Sequence, residues 1–175
     1  MLFRSHIEKN IDIFNTGALK LYHQQMFGHN PLSTSLNKIN NYPKIAKIAK
    51  LYFNKAISIA QEKFKDNSPL YPSSFWLSRQ LPNAVVKLHG DDDGGLTQYF
   101  KYSCSVYLND PKNTGPIAFP ALKYKYFPSS GDMLLWPSQG REYDHEVPVI
   151  NDKRYTMLMW LTDQKEFSME VDFEN

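Results

Sequence analysis

The feature that most restricts the fold is a change of rhythm near residue 70. Beyond it, apolar residues come in short alternating runs broken by Gly, Pro, Asn and Asp. Eight such runs are legible, at 74–79, 84–89, 102–108, 117–119, 123–127, 133–136, 146–149 and 155–161. Period-two alternation with turn chemistry between the runs predicts short antiparallel strands, and this many in one segment predicts a jelly roll or a small barrel. Ahead of residue 70 the period is helical. Ile48, Leu51, Tyr52, Ala56, Ile59 and Ala60 recur at helix spacing, Pro43 suits a first turn, Asn41 suits an N-cap, and Asp66-Asn67-Ser68-Pro69 stops the run. An earlier helix is expected over 7–25, interrupted by Gly17, with loop over 28–34.

Composition narrows the class. The 175 residues carry 20 Lys+Arg against 18 Asp+Glu, a balance that does not direct the chain toward nucleic acid. No apolar run approaches the ~18 residues of a membrane span. Cys104 is the only cysteine, which excludes an intrachain disulfide framework and a cysteine-built zinc site. The segment Met1-Leu2-Phe3-Arg4-Ser5-His6 does not read as a secretory signal, so a reducing, cytoplasmic setting is expected. Seven lysines and one acid, Glu62, lie between 38 and 65; they read as the solvated face of an amphipathic helix, or as a patch for an acidic partner. The acidic end, from Asp163 to Glu174, reads as a solvated tail.

Three places carry possible chemistry. In His89-Gly90-Asp91, strand geometry puts residues i and i+2 on one face, so an imidazole and a carboxylate can converge on one metal ion. Taken alone, the same letters describe an acidic turn after an exposed histidine. In Tyr143-Asp144-His145-Glu146-Val147, His145 supplies a third ligand, and two imidazoles with one carboxylate make the facial triad that suits non-haem iron(II). In Lys153-Arg154-Tyr155-Thr156, a guanidinium and a hydroxyl share a face and can receive a carboxylate; alone, this is also a strand-edge ion pair.

Their order through the chain is His89-x-Asp91, Tyr107-Leu108-Asn109, Pro128-x-x-Gly131-Asp132, His145-Glu146-Val147, Arg154-Tyr155, then Trp160. In this order the segment 74–162 resembles the 2-oxoglutarate- and iron(II)-dependent oxygenases, in their prolyl-hydroxylase-like branch. The resemblance implies a mainly β fold with N-terminal helices: a double-stranded β-helix, or jelly-roll/cupin-like barrel, over 71–175, supported by a helical region over 1–70. It implies that His89, Asp91 and His145 hold Fe(II). Arg154 would pair with the distal carboxylate of 2-oxoglutarate, Tyr107 would hydrogen-bond the same group, Thr156 would assist, and Trp160 would pack the barrel.

The implied activity consumes molecular oxygen, releases succinate and carbon dioxide, and hydroxylates an unactivated C–H, with ascorbate as supporting reductant. Asp91 occupies the position that related halogenases leave for chloride, which favours hydroxylation. The implied substrate is a peptidyl prolyl residue, with Tyr99, Phe100, Tyr124, Tyr126 and Tyr143 offering rings at the mouth. A small-molecule substrate such as a free amino acid, a cupin-type metal protein that uses no keto acid, and a non-catalytic β-sandwich are the alternatives. The family's tyrosine ahead of its first histidine has no counterpart between Ser78 and Leu88. Oligomeric state is not legible.

Overall fold

The computed structural model describes residues 32–35, 43–92, 94–110 and 115–169. The expected helix at 7–25, the Asn41 cap and the last acids of the tail lie outside the described residues. Among the described residues, nine strands and one α-helix form in the order β1 (Leu32–Ser35), α1 (Pro43–Lys63), β2 (Tyr71–Gln80), β3 (Val86–His89), β4 (Tyr102–Tyr107), β5 (Ile117–Phe119), β6 (Tyr124–Tyr126), β7 (Met133–Pro137), β8 (His145–Val147) and β9 (Arg154–Thr162). The fold is thus mainly β. The strands make two antiparallel sheets, a major one ordered β1-β2-β9-β4-β7 and a minor one ordered β3-β8-β5-β6. Among the described residues their ladders do not join into a closed barrel.

All eight expected strands form, with ends displaced by at most a few residues. The loop expected at 28–34 is corrected over residues 32–34. These belong to β1, which pairs with β2 at the sheet edge. Leu-Ser-Thr-Ser has one apolar residue and no alternation to announce a strand. The hydrogen bonds of β2, rather than local pattern, specify it.

The helix forms where expected, with Pro43 in its first turn. Its buried face agrees with the expected one at Ala56 and Ala60 and otherwise differs. Ile45, Ala46, Ala49, Phe53, Ala56 and Ala60 are buried, whereas Leu51 is 63% exposed. Four alanines on this stripe let the helix backbone lie close to the sheet, and a leucine face would hold it off. At its exit Asp66 accepts from the backbone N–H and hydroxyl of Ser68, at 3.0 and 2.7 Å, forming the expected stop.

The major sheet separates two interiors. On β9, Tyr155, Met157, Met159 and Leu161 face the helix and join Phe53, Phe75, Leu77, Tyr102, Cys104 and Val106 in one apolar core. Alternation puts Arg154, Thr156, Leu158 and Trp160 on the opposite face, which looks toward the minor sheet. There a second cluster of Val86, Ile117, Phe119, Trp136, Val147 and Ile150 fills the space between the sheets. Lys101 ties the edges together. Its ammonium lies 2.9 Å from Asp66 after the helix and 2.9 Å from Asp163 after β9.

Candidate metal centre and anion pocket

The two histidines meet because β3 and β8 pair with His89 directly opposite His145. Val86 pairs with Val147, so Lys87 and Leu88 together oppose Glu146 alone. This β-bulge lets Val86 and His89 both face the intersheet space although three residues apart. The ring centroids of His89 and His145 are 4.4 Å apart. Asp91 lies in the turn beyond the strand, which ends at His89. The carboxylate therefore converges on the imidazoles through the turn at Gly90 rather than through strand alternation, a correction to the i, i+2 argument.

One ligand atom from each of His89, Asp91 and His145 can be chosen so that all lie within 4.8 Å of one another. Each imidazole is fixed by a backbone carbonyl. Nδ1–H of His89 donates to Lys87 O at 2.8 Å, and Nδ1–H of His145 donates to Tyr143 O at 3.1 Å. A carbonyl only accepts, so each ring nitrogen facing it carries the proton, and each Nε2 presents its lone pair. Those Nε2 atoms lie 4.0 and 3.9 Å from the two oxygens of Asp91. Asp91 Oδ2 is buried without a hydrogen-bond partner. A carboxylate facing two nitrogen lone pairs is a donor set that suits a divalent cation. Burial holds the His145 pKa below the usual imidazole range, against the pull of Asp91. A neutral imidazole is the form that binds metal. Trp136 meets the His145 ring edge-on at 5.1 Å, and Phe119 lies 5.5 Å from it. These two rings wall the cluster from water.

The second feature lies on the inner face of the major sheet. Arg154 is 2% exposed, and its Nε and Nη1 have no hydrogen-bond partner. Its guanidinium stands 4.8 Å over the ring of Tyr107 and donates to the phenol oxygen. Burial lowers the arginine pKa and raises that of Tyr107. Among the described residues no carboxylate contributes to the arginine's shift. A buried cation without a counter-ion is costly, and an anion entering beside it relieves that cost. Thr156 pairs across the sheet with Tyr107 on one side and Ser78 on the other, so three hydroxyls form a row next to Arg154. Trp136 belongs to the same sheet face and touches His145, so Arg154 and the cluster face one intersheet space.

The sequence reading had not singled out Ser78, Trp136, Phe119 or the two anchoring carbonyls. The first three became recognisable only through strand parity. Of the rings expected at the mouth, Phe100 is buried and stacked on Trp160, Tyr99 stacks on Phe167 at 3.5 Å, and Tyr126 donates to Asp132 at 2.7 Å. Tyr143 packs on the intersheet cluster, and Tyr124 stays 48% exposed. Trp160 packs as expected, edge-on to Trp76 at 5.6 Å. The lysine-bearing helix sits across the major sheet from Arg154, so its charges do not line the intersheet space.

No family model matches the chain, and no curated protein matches it by sequence. Solved structures do. A viral collagen prolyl hydroxylase from Paramecium bursaria Chlorella virus-1, in its 2OG complex, superposes with a TM-score of 0.61 at 19% identity, covering 75% of this chain and 78% of that one. A prolyl hydroxylase from Trichoplax adhaerens, in complex with a hypoxia inducible factor oxygen degradation domain peptide fragment, gives 0.60 at 17% identity, covering 89% and 83%. A 2OG-Fe(II) oxygenase family oxidoreductase from Burkholderia pseudomallei gives 0.52 at 13% identity, covering 59% and 48%. The chain therefore shares the fold of prolyl hydroxylases, as the motif order implied. Among the described residues no helix is long and apolar enough to cross a membrane.

Proposed function

We propose that this chain is an Fe(II)- and 2-oxoglutarate-dependent dioxygenase that hydroxylates an unactivated C–H, of a peptidyl prolyl residue. The observation that carries this reading is a pairing. A three-ligand cluster with both Nε2 lone pairs turned inward shares one space with a buried guanidinium that pairs with no carboxylate among the described residues. A cupin-type metal site without keto acid explains the first feature and leaves Arg154 without a role. A non-catalytic sandwich explains neither. On this reading the two sheets are the halves of a double-stranded β-helix, and residues 1–70 support it.

His89, Asp91 and His145 would hold the iron, with Lys87 O and Tyr143 O fixing the ring tautomers. When bound, iron and keto acid supply the oxidising chemistry, in which dioxygen and decarboxylation to succinate deliver a hydroxyl to the substrate. The chain's own work is positioning. Arg154, Tyr107 and Thr156 would receive the distal carboxylate, so that the chelating end of the acid reaches the cluster in one orientation. Phe119, Trp136 and Val147 keep bulk water from the reacting centre. The prolyl-hydroxylase neighbours support a peptide substrate, and Leu122, Tyr124 and Phe127 expose apolar surface along β6 for an extended chain. Ascorbate would serve as reductant.

The test is anaerobic addition of Fe(II) and then 2-oxoglutarate, followed by oxygen and a proline-containing peptide library. A metal-to-keto-acid charge-transfer band, succinate, and a gain of one oxygen on a peptide are expected. Oxygen gained only on a free amino acid would overturn the peptide assignment alone. Metal binding with no charge-transfer band and no succinate would overturn the oxygenase reading.

A further inference from the structure

We infer that Gln80 is a positioning residue of the anion pocket, its side-chain amide binding the distal carboxylate of the keto acid beside Arg154. The inference rests on the reading proposed above. β2 and β9 pair so that Gln80 stands directly opposite Arg154. Directly opposed residues of an antiparallel ladder share a face, with Cβ atoms about 5 Å apart. Gln80 Oε1 is buried without a hydrogen-bond partner, as are Nε and Nη1 of Arg154.

An amide oxygen is an acceptor and a guanidinium is all donors, so within reach these groups would satisfy one another. They stand on neighbouring strands and do not. A third group beside both would satisfy them, and next to Arg154 that group is an anion. Rotating the amide by half a turn exchanges Oε1 for Nε2 without changing its shape. The amide then donates where it now offers an unused acceptor. Guanidinium and amide together give a carboxylate donors from two strands, and the next ladder pair, Ser78 opposite Thr156, continues the hydroxyl row.

The inference is tested by calorimetric titration of the Mn(II)-loaded full chain with 2-oxoglutarate and, separately, with oxalate. Oxalate has the chelating end of the keto acid and no distal carboxylate. Gln80→Leu should weaken 2-oxoglutarate about tenfold or more, the loss of one hydrogen bond to a charged group. It should leave Mn(II) and oxalate affinities unchanged. Gln80→Glu, nearly isosteric and acidic, should weaken 2-oxoglutarate further. If the leucine variant does not fold, Gln80→Asn, which withdraws the amide by one methylene, should show the same discrimination. Equal 2-oxoglutarate affinity in parent and variant, or equal weakening of both ligands, would overturn the role of Gln80 and leave the oxygenase reading intact. A parent protein that binds Mn(II) and oxalate but no 2-oxoglutarate would overturn both.

Discussion

The two faces of the major sheet are made by the same strands and have opposite characters. Toward the helix, β9 presents Tyr155, Met157, Met159 and Leu161, buried among apolar neighbours. Toward the minor sheet, the same nine residues present Arg154 and Thr156, with an arginine that leaves two nitrogens unpaired. The first face is packed for stability. The second forgoes stability for groups that become satisfied only when something binds. Adjacent residues on one strand thus serve opposite ends, and substitutions on each side should have separable effects.

The largest separation is expected at the cluster. His145→Ala should weaken Mn(II) or Fe(II) binding by more than the roughly 10–100-fold that loss of an outer-shell partner costs. The far-ultraviolet spectrum should stay that of the parent. Retention of parental metal affinity would remove His145 from the site. On the helix side, Phe53→Ala should cost about 3–5 kcal/mol in urea unfolding, because an aromatic side chain leaves a fully buried position. Metal affinity of the folded fraction should not change.

Arg154→Met sharpens the contrast. It should weaken 2-oxoglutarate binding by about 2–5 kcal/mol, which is roughly one to three orders of magnitude. The ligand-free protein should melt at the same or a higher temperature, because a buried cation without a counter-ion is replaced by an isosteric apolar chain. A lower melting temperature would mean that Arg154 contributes to folding rather than to binding.

The smallest effect is expected at the polar clasp around Asp66. Burial alone would raise this carboxyl's pKa, but hydrogen bonds from Ser68, Lys101 and Tyr102 outweigh it and hold the pKa well below the usual carboxylate range. A group depressed on folding contributes stability above its unfolded pKa, near 3.8, and loses it as pH falls through the folded value. Asp66→Asn should therefore cost about 1–3 kcal/mol at pH 7. In melts across a pH series, the gap between parent and variant should narrow only below about pH 4. A gap that persists unchanged into strong acid would count against this account.

The comparison also explains what the sequence made legible. Strands were readable because alternation is a local signal, and eight of nine emerged from it. β1 did not, since its paired residues on β2 lie 41 to 47 positions away in the chain. The helix was legible and its buried stripe only in part: Ala56 and Ala60 stood in the apolar pattern, whereas Ala46 and Ala49, which contribute by being small, did not. The three cluster residues and Arg154 were legible as residue types in order. Their surroundings were not. That Trp136 walls His145, and that Gln80 faces Arg154, are consequences of register, which strand pairing decides and letters do not.

The bulge in β3 shows how pairing, rather than residue count, aims one ligand. Two residues, Lys87 and Leu88, occupy the span that Glu146 fills alone on the partner strand, and the bulge lets Val86 and His89 both turn inward although an odd number of residues apart. The orientation of His89 is therefore a matter of pairing. Both side chains at the bulge point to solvent and are free to vary in kind. Their number can also fall by one without turning His89 outward, because Val86, one residue and His89 in plain alternation keep both side chains on the inner face. This stretch of chain should therefore drift readily by substitution over evolutionary time and tolerate loss of its extra residue, while the pairing of His89 with His145 persists.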